Sequence, residues 1–592
     1  MIRTPHRSAA AALAAAIAAV LALAPAPARA GRKIDVHHLQ WDRYYSQQEV
    51  EDVLHALHDA YPRLTTLQSL GKSEEGRDIW ALTINNPATG DETAKPAIYA
   101  DGAIHGNEIQ ATEVCLYLAW QILDKYGQWD RMTAVVDSTV FYIVPTINVD
   151  SRARFFTDAG GYNIGRTARV PHDDDHDGLL DEDDYDDLDG DGRILQMRIR
   201  DPFGKWRSDP DDPRVMVRVK PGERGEWTLL GTEGIDNDGD GKVNEDVPGY
   251  LDMNRNWGFQ WQPEHIQKGA GDYPFSARVT RAVAAFLEAH PNICFGFNFH
   301  NYGGMWLRGP GSELSPPIPP ADLKVFDYLG REGERTVPGY RYLVSSTDLY
   351  TTHGDFDEFC YQCLGFPCFV GELFMSAQLA YKARTEKPNG KDGTIWSHRP
   401  RDKEKQEFND HLMLGEMFSD WHPFHHPTYG DIEIGGWRTF TTRMPPPFML
   451  PELVHRNAMY VIWTATQAPR LSLAVTEVKR LDDGLYRVRA RAANRGGLPT
   501  LSARARGKKI LPLDRAEIAG HGVTVVSGGV LTDPWFDTVE RRDHHPESIP
   551  TWIDPFGKRD LEWIVAGRPG DRVTVSYRGL KCGRRRVEVR LP

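Results

Sequence analysis

Cysteine is scarce in this chain, with six residues in 592. That density and the length exclude a small scaffold stapled by disulfides. The six are Cys115, Cys294, Cys360, Cys363, Cys368 and Cys582. Cys360-x2-Cys363-x4-Cys368 has half the spacing of a zinc site, but no second Cys or His pair completes it. A local disulfide is the expectation there. Cys115 sits in an apolar helical pattern and reads as a buried thiol. Long apolar runs are lacking after residue 30, which excludes a bilayer-spanning helix in the rest of the chain. A basic stripe is lacking too, which argues against a nucleic-acid-binding role. The formal net charge is −13, and residues 172–192 hold twelve Asp or Glu and no Lys or Arg. The acidity is therefore local and says little about partners.

The N-terminus differs from the rest. Arg3, His6 and Arg7 precede an Ala/Leu/Val run from Ala9 to Ala24, and Pro25-Ala-Pro-Ala-Arg-Ala30 closes on a small-x-small pattern. Residues 1–30 read as a secretory signal peptide, and the protein as periplasmic or extracellular.

From Val36 to Leu57 the pattern is helical, with Trp41, Tyr44, Tyr45, Val50, Val53, Leu54 and Leu57 on the inner face. Four short apolar runs follow, at Ala97–Ala100, Val140–Val144, Cys294–Phe299 and Phe366–Val370. Helical patterns such as Thr112–Lys125 and Ala277–His290 lie between them. The alternation predicts an α/β fold with a mixed, largely parallel central sheet flanked by helices. After about Arg470 the texture changes to apolar/polar alternation between turns: Leu471–Val478, Leu485–Ala493, Val523–Leu531, Arg572–Tyr577 and Arg586–Leu591. An all-β sandwich over residues 470–592 is expected, appended to a first domain over 31–469.

The four apolar runs end in polar chemistry. The first leads to His105 and Glu108, the second to Asn148 and Asp150, the third to His300, the fourth to Glu372. In open α/β sheets, ligands bind beyond the carboxyl ends of the strands. A His and a Glu at i and i+3 can converge on one point, and imidazole nitrogen with carboxylate oxygen suits zinc. H-x-x-E alone recurs by chance; its weight comes from His300 as a third ligand and Glu372 as a base at matching strand ends. Two His and one Glu leave one zinc position open, which is the catalytic pattern.

Residues 171–249 interrupt this order. They contain Asp173-x-Asp175-x-Asp177-Gly, Asp187-x-Asp189-x-Asp191-Gly and Asp236-x-Asp238-x-Asp240-Gly, each followed by an apolar residue: Leu180, Ile194 and Val243. Alternate acids, a Gly for a sharp turn and an apolar anchor form the front half of a calcium loop. The usual Glu at position twelve is absent, where Asp184, Arg198 and Val247 stand instead. Structural calcium is the expectation; a solvated acidic insertion is the alternative.

Taken together, His105, Glu108, His300 and Glu372 resemble the zinc carboxypeptidase family of carboxypeptidase A-like metallopeptidases. Asp252-Met-Asn-Arg-Asn-Trp257 resembles the family's Asn-Arg motif for the substrate carboxylate. Asn298-Phe-His300 resembles its third-ligand strand, and Gly371-Glu-Leu373 the strand with its catalytic glutamate. Tyr350, 22 residues before Glu372, resembles its mobile tyrosine. The resemblance covers roughly residues 40–430. It implies one catalytic zinc held by His105, Glu108 and His300, with Glu372 as general base and Arg166 as oxyanion stabiliser. Arg152, Arg154 and Arg169 are rivals for that last role. Asn254, Arg255 and Tyr350 would hold the free C-terminus of a peptide or protein substrate. A carboxylate such as Asp150 has the chemistry to orient a ligand His, but nothing in the sequence assigns that role to it. The segment Gly354-Asp-Phe-Asp-Glu358 would floor the pocket: Phe356 there favours apolar C-terminal residues, and Asp355 or Asp357 basic ones. The expected activity is a secreted zinc metallocarboxypeptidase. The alternatives are a peptidoglycan stem-peptide amidase or endopeptidase, a small-amide deacylase, or an inactive calcium-dependent binding protein.

Overall fold

The computed structural model describes residues 34–161, 165–174, 176–379, 400–438 and 443–592. The leader-like residues 1–30 and Asp175 of the first acidic loop lie outside them. No helix among the described residues is long and apolar enough to cross a membrane.

The first helix is Gln47–Ala60. It starts at Gln47 because Ser46 and Glu49 form a reciprocal capping box. Val50, Val53, Leu54 and Leu57 are its buried face; Trp41, Tyr44 and Tyr45 pack from the chain before it. Four strands follow: β1 (Thr65–Lys72), β2 (Asp78–Ile84), β3 (Ala97–Gly102) and β4 (Val140–Val144). The insertion adds β5 (Gln196–Arg200), β6 (Trp206–Ser208), β7 (Met216–Arg218) and β8 (Trp227–Thr232). Next come β9 (Ile293–Asn301), β10 (Met305–Arg308), β11 (Arg341–Val344) and β12 (Cys368–Leu373), then the hairpin β13 (Phe418–His426) and β14 (Gly430–Trp437).

The central sheet has the order β1-β2-β4-β3-β9-β12-β10-β11. Its inner four strands, β4-β3-β9-β12, are mutually parallel, and antiparallel strands flank them. Helices Gln47–Ala60, Gln110–Lys125, Pro320–Thr336 and Leu450–Ala465 bury one face. Helix Arg278–Ala289 and the turn at Phe356–Phe359 cover the other. Because β3, β9 and β12 are buried on both faces, they read as continuous apolar runs.

The insertion is more than acidic loops. Its strands join the β13–β14 hairpin in a second, antiparallel sheet, β13-β14-β5-β8-β6-β7, over a small core of Leu195, Met197, Ile432 and Ile434. The expected apolar anchoring of the acidic loops holds at Val243, which packs on this core. It fails at Leu180, which is exposed.

From Leu471 onward, nine strands form a five-stranded and a four-stranded antiparallel sheet around Tyr486, Trp563 and Tyr577. This sandwich docks on the rear of the first unit. Asp322 accepts the backbone N–H groups of Ala503 and Arg504, both at 2.8 Å, and Lys581 donates to the carbonyl of Ile293, at the opposite end of β9 from His300.

All six cysteines are free thiols, so the expected local disulfide is not formed. Cys360 and Cys368, the latter opening β12, are buried in the same core, whereas Cys363 is exposed. Cys115 is buried as expected.

Candidate active site

The site grows out of the carboxyl ends of β3, β9 and β12. After β3 the chain turns through His105-Gly106-Asn107-Glu108 into helix Gln110–Lys125. Gly106 is required here. A Cβ on it would come within 2.4 Å of Ser151 and 2.5 Å of the Arg152 nitrogen, so only glycine lets the loop lie against helix Val149–Thr157. His300 is the next-to-last residue of β9 and Glu372 that of β12; the two are register partners on adjacent parallel strands. That pairing puts both side chains at one place on the same sheet edge.

His105, Glu108 and His300 are buried, and their ligating atoms all lie within 4.8 Å of one another. His105 Nδ1 is 3.0 Å from Glu108 Oε1, His300 Nδ1 is 3.0 Å from Glu108 Oε2, and the two Nδ1 atoms are 3.1 Å apart. The outer nitrogens are both engaged. His105 Nε2–H donates to Asp252 Oδ1 at 3.0 Å, and His300 Nε2–H donates to Asn298 Oδ1 at 2.6 Å. Asn298 in turn donates to buried Asp101. These bonds fix the tautomers and leave two Nδ1 lone pairs facing two carboxylate oxygens. Four acceptors aimed at one point without a proton between them call for a cation, and this N/O donor set fits zinc.

Arg166 lies beside the cluster, with Nη1 3.3 Å from Glu108 Oε1 and Nη2 3.3 Å from Asp252 Oδ2. Its rivals are occupied elsewhere: Arg152 pairs with Glu113 in the core, Arg154 with Glu75, and Arg169 with Asp158. Asp150 is no orienter of a ligand. It holds Ser73 and Arg77 at 2.8 and 2.7 Å, and Asn148 caps the helix behind it. Asp252 takes the orienting role. Burial opposes its charge, but His105, Arg166 and Arg255 hold its carboxyl well below the usual range.

Asn254, Arg255 and Tyr350 line the same small cavity as His105, His300 and Glu372. Asn254 Oδ1 accepts the N–H of Phe356 at 3.0 Å. Arg255 is 7% exposed, bonded to the Asn254 carbonyl at 2.7 Å and 3.4 Å from Asp355. Tyr350 sits beside it, its hydroxyl against the guanidinium, and remains half exposed. Burial pushes the Glu372 carboxyl up to about 7, with Glu108 adding to the rise and His300 and Arg166 opposing it.

The ambiguous floor segment resolves by direction. Phe356 turns into the core against Tyr99 and Trp257. Asp355 and Asp357 line the cavity. Asp355 is met by Thr352 and Arg255, and Glu358 by Ser315 and Gln362. Asp357 forms no ion pair among the described residues, and burial beside Asp355 and Glu358 pushes its carboxyl well above the usual range.

Asp252, Asn298, Asp101, Asp357 and Arg443 (3.7 Å from Glu108) complete the surroundings. Asp252 and Asn298 each stand two residues before a named site residue, inside the sequence motifs that carry Asn254 and His300, but with no role assigned to them there.

Residues 50–179 and 236–389 match the family model described as zinc carboxypeptidase; the gap falls in the insertion. Residues 470–590 match a domain of unknown function (DUF8731). Carboxypeptidase D of Homo sapiens is 38% identical over 112 residues, 19% of this chain and 8% of that protein. The shared stretch is thus under a tenth of that relative's length. Carboxypeptidase B of Astacus astacus is 24% identical over 329 residues, covering 54% of this chain and 82% of its own. The crystal structure of thrombin activatable fibrinolysis inhibitor covers 72% of this chain and 74% of its own at 15% identity, with a TM-score of 0.43. The matched segments, 50–179 and 236–389, take in His105, Glu108, Arg255, His300 and Glu372, and this part of the chain belongs to the zinc carboxypeptidase family.

Proposed function

We propose that this protein is an exported zinc metallocarboxypeptidase that removes C-terminal residues, with a preference for basic ones. One observation carries the reading: a buried His105–Glu108–His300 donor set shares a small cavity with Glu372 and a buried guanidinium, Arg255. His105, Glu108 and His300 would hold zinc, which when bound would supply Lewis acidity to the scissile carbonyl and lower the pKa of water so that a nucleophile forms near neutral pH. Glu372, as carboxylate, accepts the proton of the attacking water and passes it to the leaving amine. Arg166 meets the negative charge that develops on the carbonyl oxygen. Arg255 binds the substrate carboxylate, with Asn254 and Tyr350 beside it. Export rests on the leader-like residues 1–30. Removing zinc with a chelator is expected to abolish release of C-terminal residues, and one equivalent of zinc to restore it; activity that survives stripping contradicts the proposal.

The basic preference follows from an acid without a cationic partner. Asp357 lines a cavity whose other wall, at Leu307, Leu349 and Val370, is apolar, and its raised carboxyl ionises when a substrate cation is bound beside it. A Lys or Arg side chain matches both, its stem on the apolar wall and its head at the acid. Asp357→Asn is expected to lower kcat/KM for a Lys-terminated peptide by about 100-fold, while a Leu-terminated twin changes little. Equal losses on both peptides would refute the assignment.

The raised Glu372 carboxyl sets the pH dependence. Only its ionised form is a base, and a neighbouring dication favours that form. The acid limb of kcat/KM is therefore expected between the ordinary value of 4.5 and about 7. A profile flat across that interval counts against Glu372 as the base.

A further inference from the structure

The acidic insertion takes no part in the chemistry above. Two of its loops carry a longer common pattern than the three aspartates. From Asp173 and from Asp236, both read Asp at positions 1, 3 and 5, Gly at 6, Glu at 10 and Asp at 11, giving Glu182-Asp183 and Glu245-Asp246. The acid absent from position twelve thus stands at positions 10 and 11. The middle loop, from Asp187, has Gln196 and Met197 there.

The two loops grip each other reciprocally. Asp246 Oδ1 accepts the N–H of Asp174 at 2.8 Å. Asp183 Oδ1 accepts from Asn237, at 3.3 Å from its N–H and 2.9 Å from its Nδ2. In each case the position-11 Asp of one loop holds position 2 of the other. This exchange presses carboxylates together. Ligand atoms of Asp177, Glu182 and Asp238 lie within 4.8 Å of one another, as do those of Asp236, Asp238 and Asp240. Glu182 lies against Asp246, and Glu245 against Asp183 and Asp240.

A second, independent observation points to a ligand. Asp183 and Asp246 are 1% and 0% exposed, and each has an Oδ2 with no hydrogen-bond partner. Glu182 Oε2 and both carboxylate oxygens of Glu245 are also buried without one. Lys242 reaches Asp240 and stands 3.9 Å from Glu245. Among the described residues, neither Asp183 nor Asp246 forms an ion pair. Buried carboxylate oxygens crowded in this way are costly unless a proton or a cation meets them. The donors are all hard oxygens, with no imidazole or thiolate, which selects calcium over zinc.

We infer that the first and third acidic loops fold as one reciprocal unit around two calcium ions that share Asp238. Asp177 and Glu182 serve one ion; Asp236, Asp240 and Glu245 serve the other; buried Asp246 and Asp183 back them. The unit sits at the neck of the insertion. The chain leaves and returns through the paired residues Ala168 and Leu251, joined by backbone bonds of 2.9 and 3.2 Å. Arg166 is two residues before this bridge, and Asp252, Asn254 and Arg255 follow it directly. Tying the two loops together therefore clamps the two chain segments that carry the oxyanion arginine, the His105 partner and the carboxylate clamp.

The test uses the full, zinc-loaded chain and calcium alone as probe. Calcium titrated calorimetrically into wild type, cleared with a calcium-selective chelator, is compared with Glu182→Gln/Glu245→Gln. The variant is expected to bind two fewer calcium ions per chain. In chelator it is expected to melt above wild type, because the mutual repulsion is removed. Asp238→Asn, at an exposed position serving both sites, is expected to show the same loss of binding without touching buried packing. Calcium is expected to raise the wild-type melting temperature while zinc content stays constant. An equal calcium count in wild type and variants, or a wild-type melting temperature indifferent to calcium, overturns the inference.

Discussion

Replacing Glu372 with Gln is expected to lower kcat by roughly 10³-fold or more, with one zinc still bound per chain. The change is isosteric and removes only the capacity to accept a proton. Glu372 is not among the three residues whose ligating atoms converge, so metal content is expected to hold. It faces His300 across β9 and β12, close enough for their charges to interact, and burial raises its carboxyl to about 7. A base poised near the working pH combines a usable ionised fraction with the driving force to take a proton. Metal analysis and turnover on one peptide, measured on the same preparation, separate loss of base from loss of metal. A fully active variant with zinc in place would show that another group activates the water.

Arg255→Met is expected to reduce kcat/KM on peptides with a free C-terminus by about 100- to 1000-fold, equivalent to about 3–4 kcal/mol. The loss is large because the guanidinium is buried and its charge-assisted bonds to a carboxylate are made away from water. The same substitution removes the cation beside Asp355, whose carboxyl burial pushes up to about 6 against the pull of Arg255. A stability loss accompanies the catalytic one and must be separated from it. Arg255→Met/Asp355→Asn is expected to recover melting temperature but not activity. Recovery of both would make Arg255 a structural residue and remove the carboxylate clamp from the mechanism.

Much of this site was legible because it hangs on strand ends. Apolar runs doubly buried by helices are conspicuous in a sequence, and the polar residues that end them at His105, His300 and Glu372 are few. Strand order was not legible: nothing local states that β9 lies between β3 and β12. The register that sets His300 opposite Glu372 comes from tertiary packing. Orienting residues were obscure for a similar reason. Asp252 reaches His105 across 147 positions, whereas Asp150, nearer in sequence, is spent on Ser73 and Arg77. The Arg166 assignment needed the structure to dispose of Arg152, Arg154 and Arg169, each neutralised by a carboxylate distant or unremarkable in sequence. The second sheet was missed because β5–β8 are short and pair with a hairpin some 200 residues downstream, around only a small apolar core. The floor of the pocket turned on a single residue of rotation, which no periodicity resolves in a five-residue segment.

The most direct measurement of the central claim compares two peptides on the zinc-loaded wild type, alike except that one ends in a free Lys carboxylate and the other in its amide. Recognition of the chain end by Arg255, Asn254 and Tyr350 predicts that kcat/KM for the free acid exceeds that for the amide by at least about 100-fold. Equal rates on the two peptides would contradict a carboxypeptidase and point to an endopeptidase or amidase built on the same zinc site.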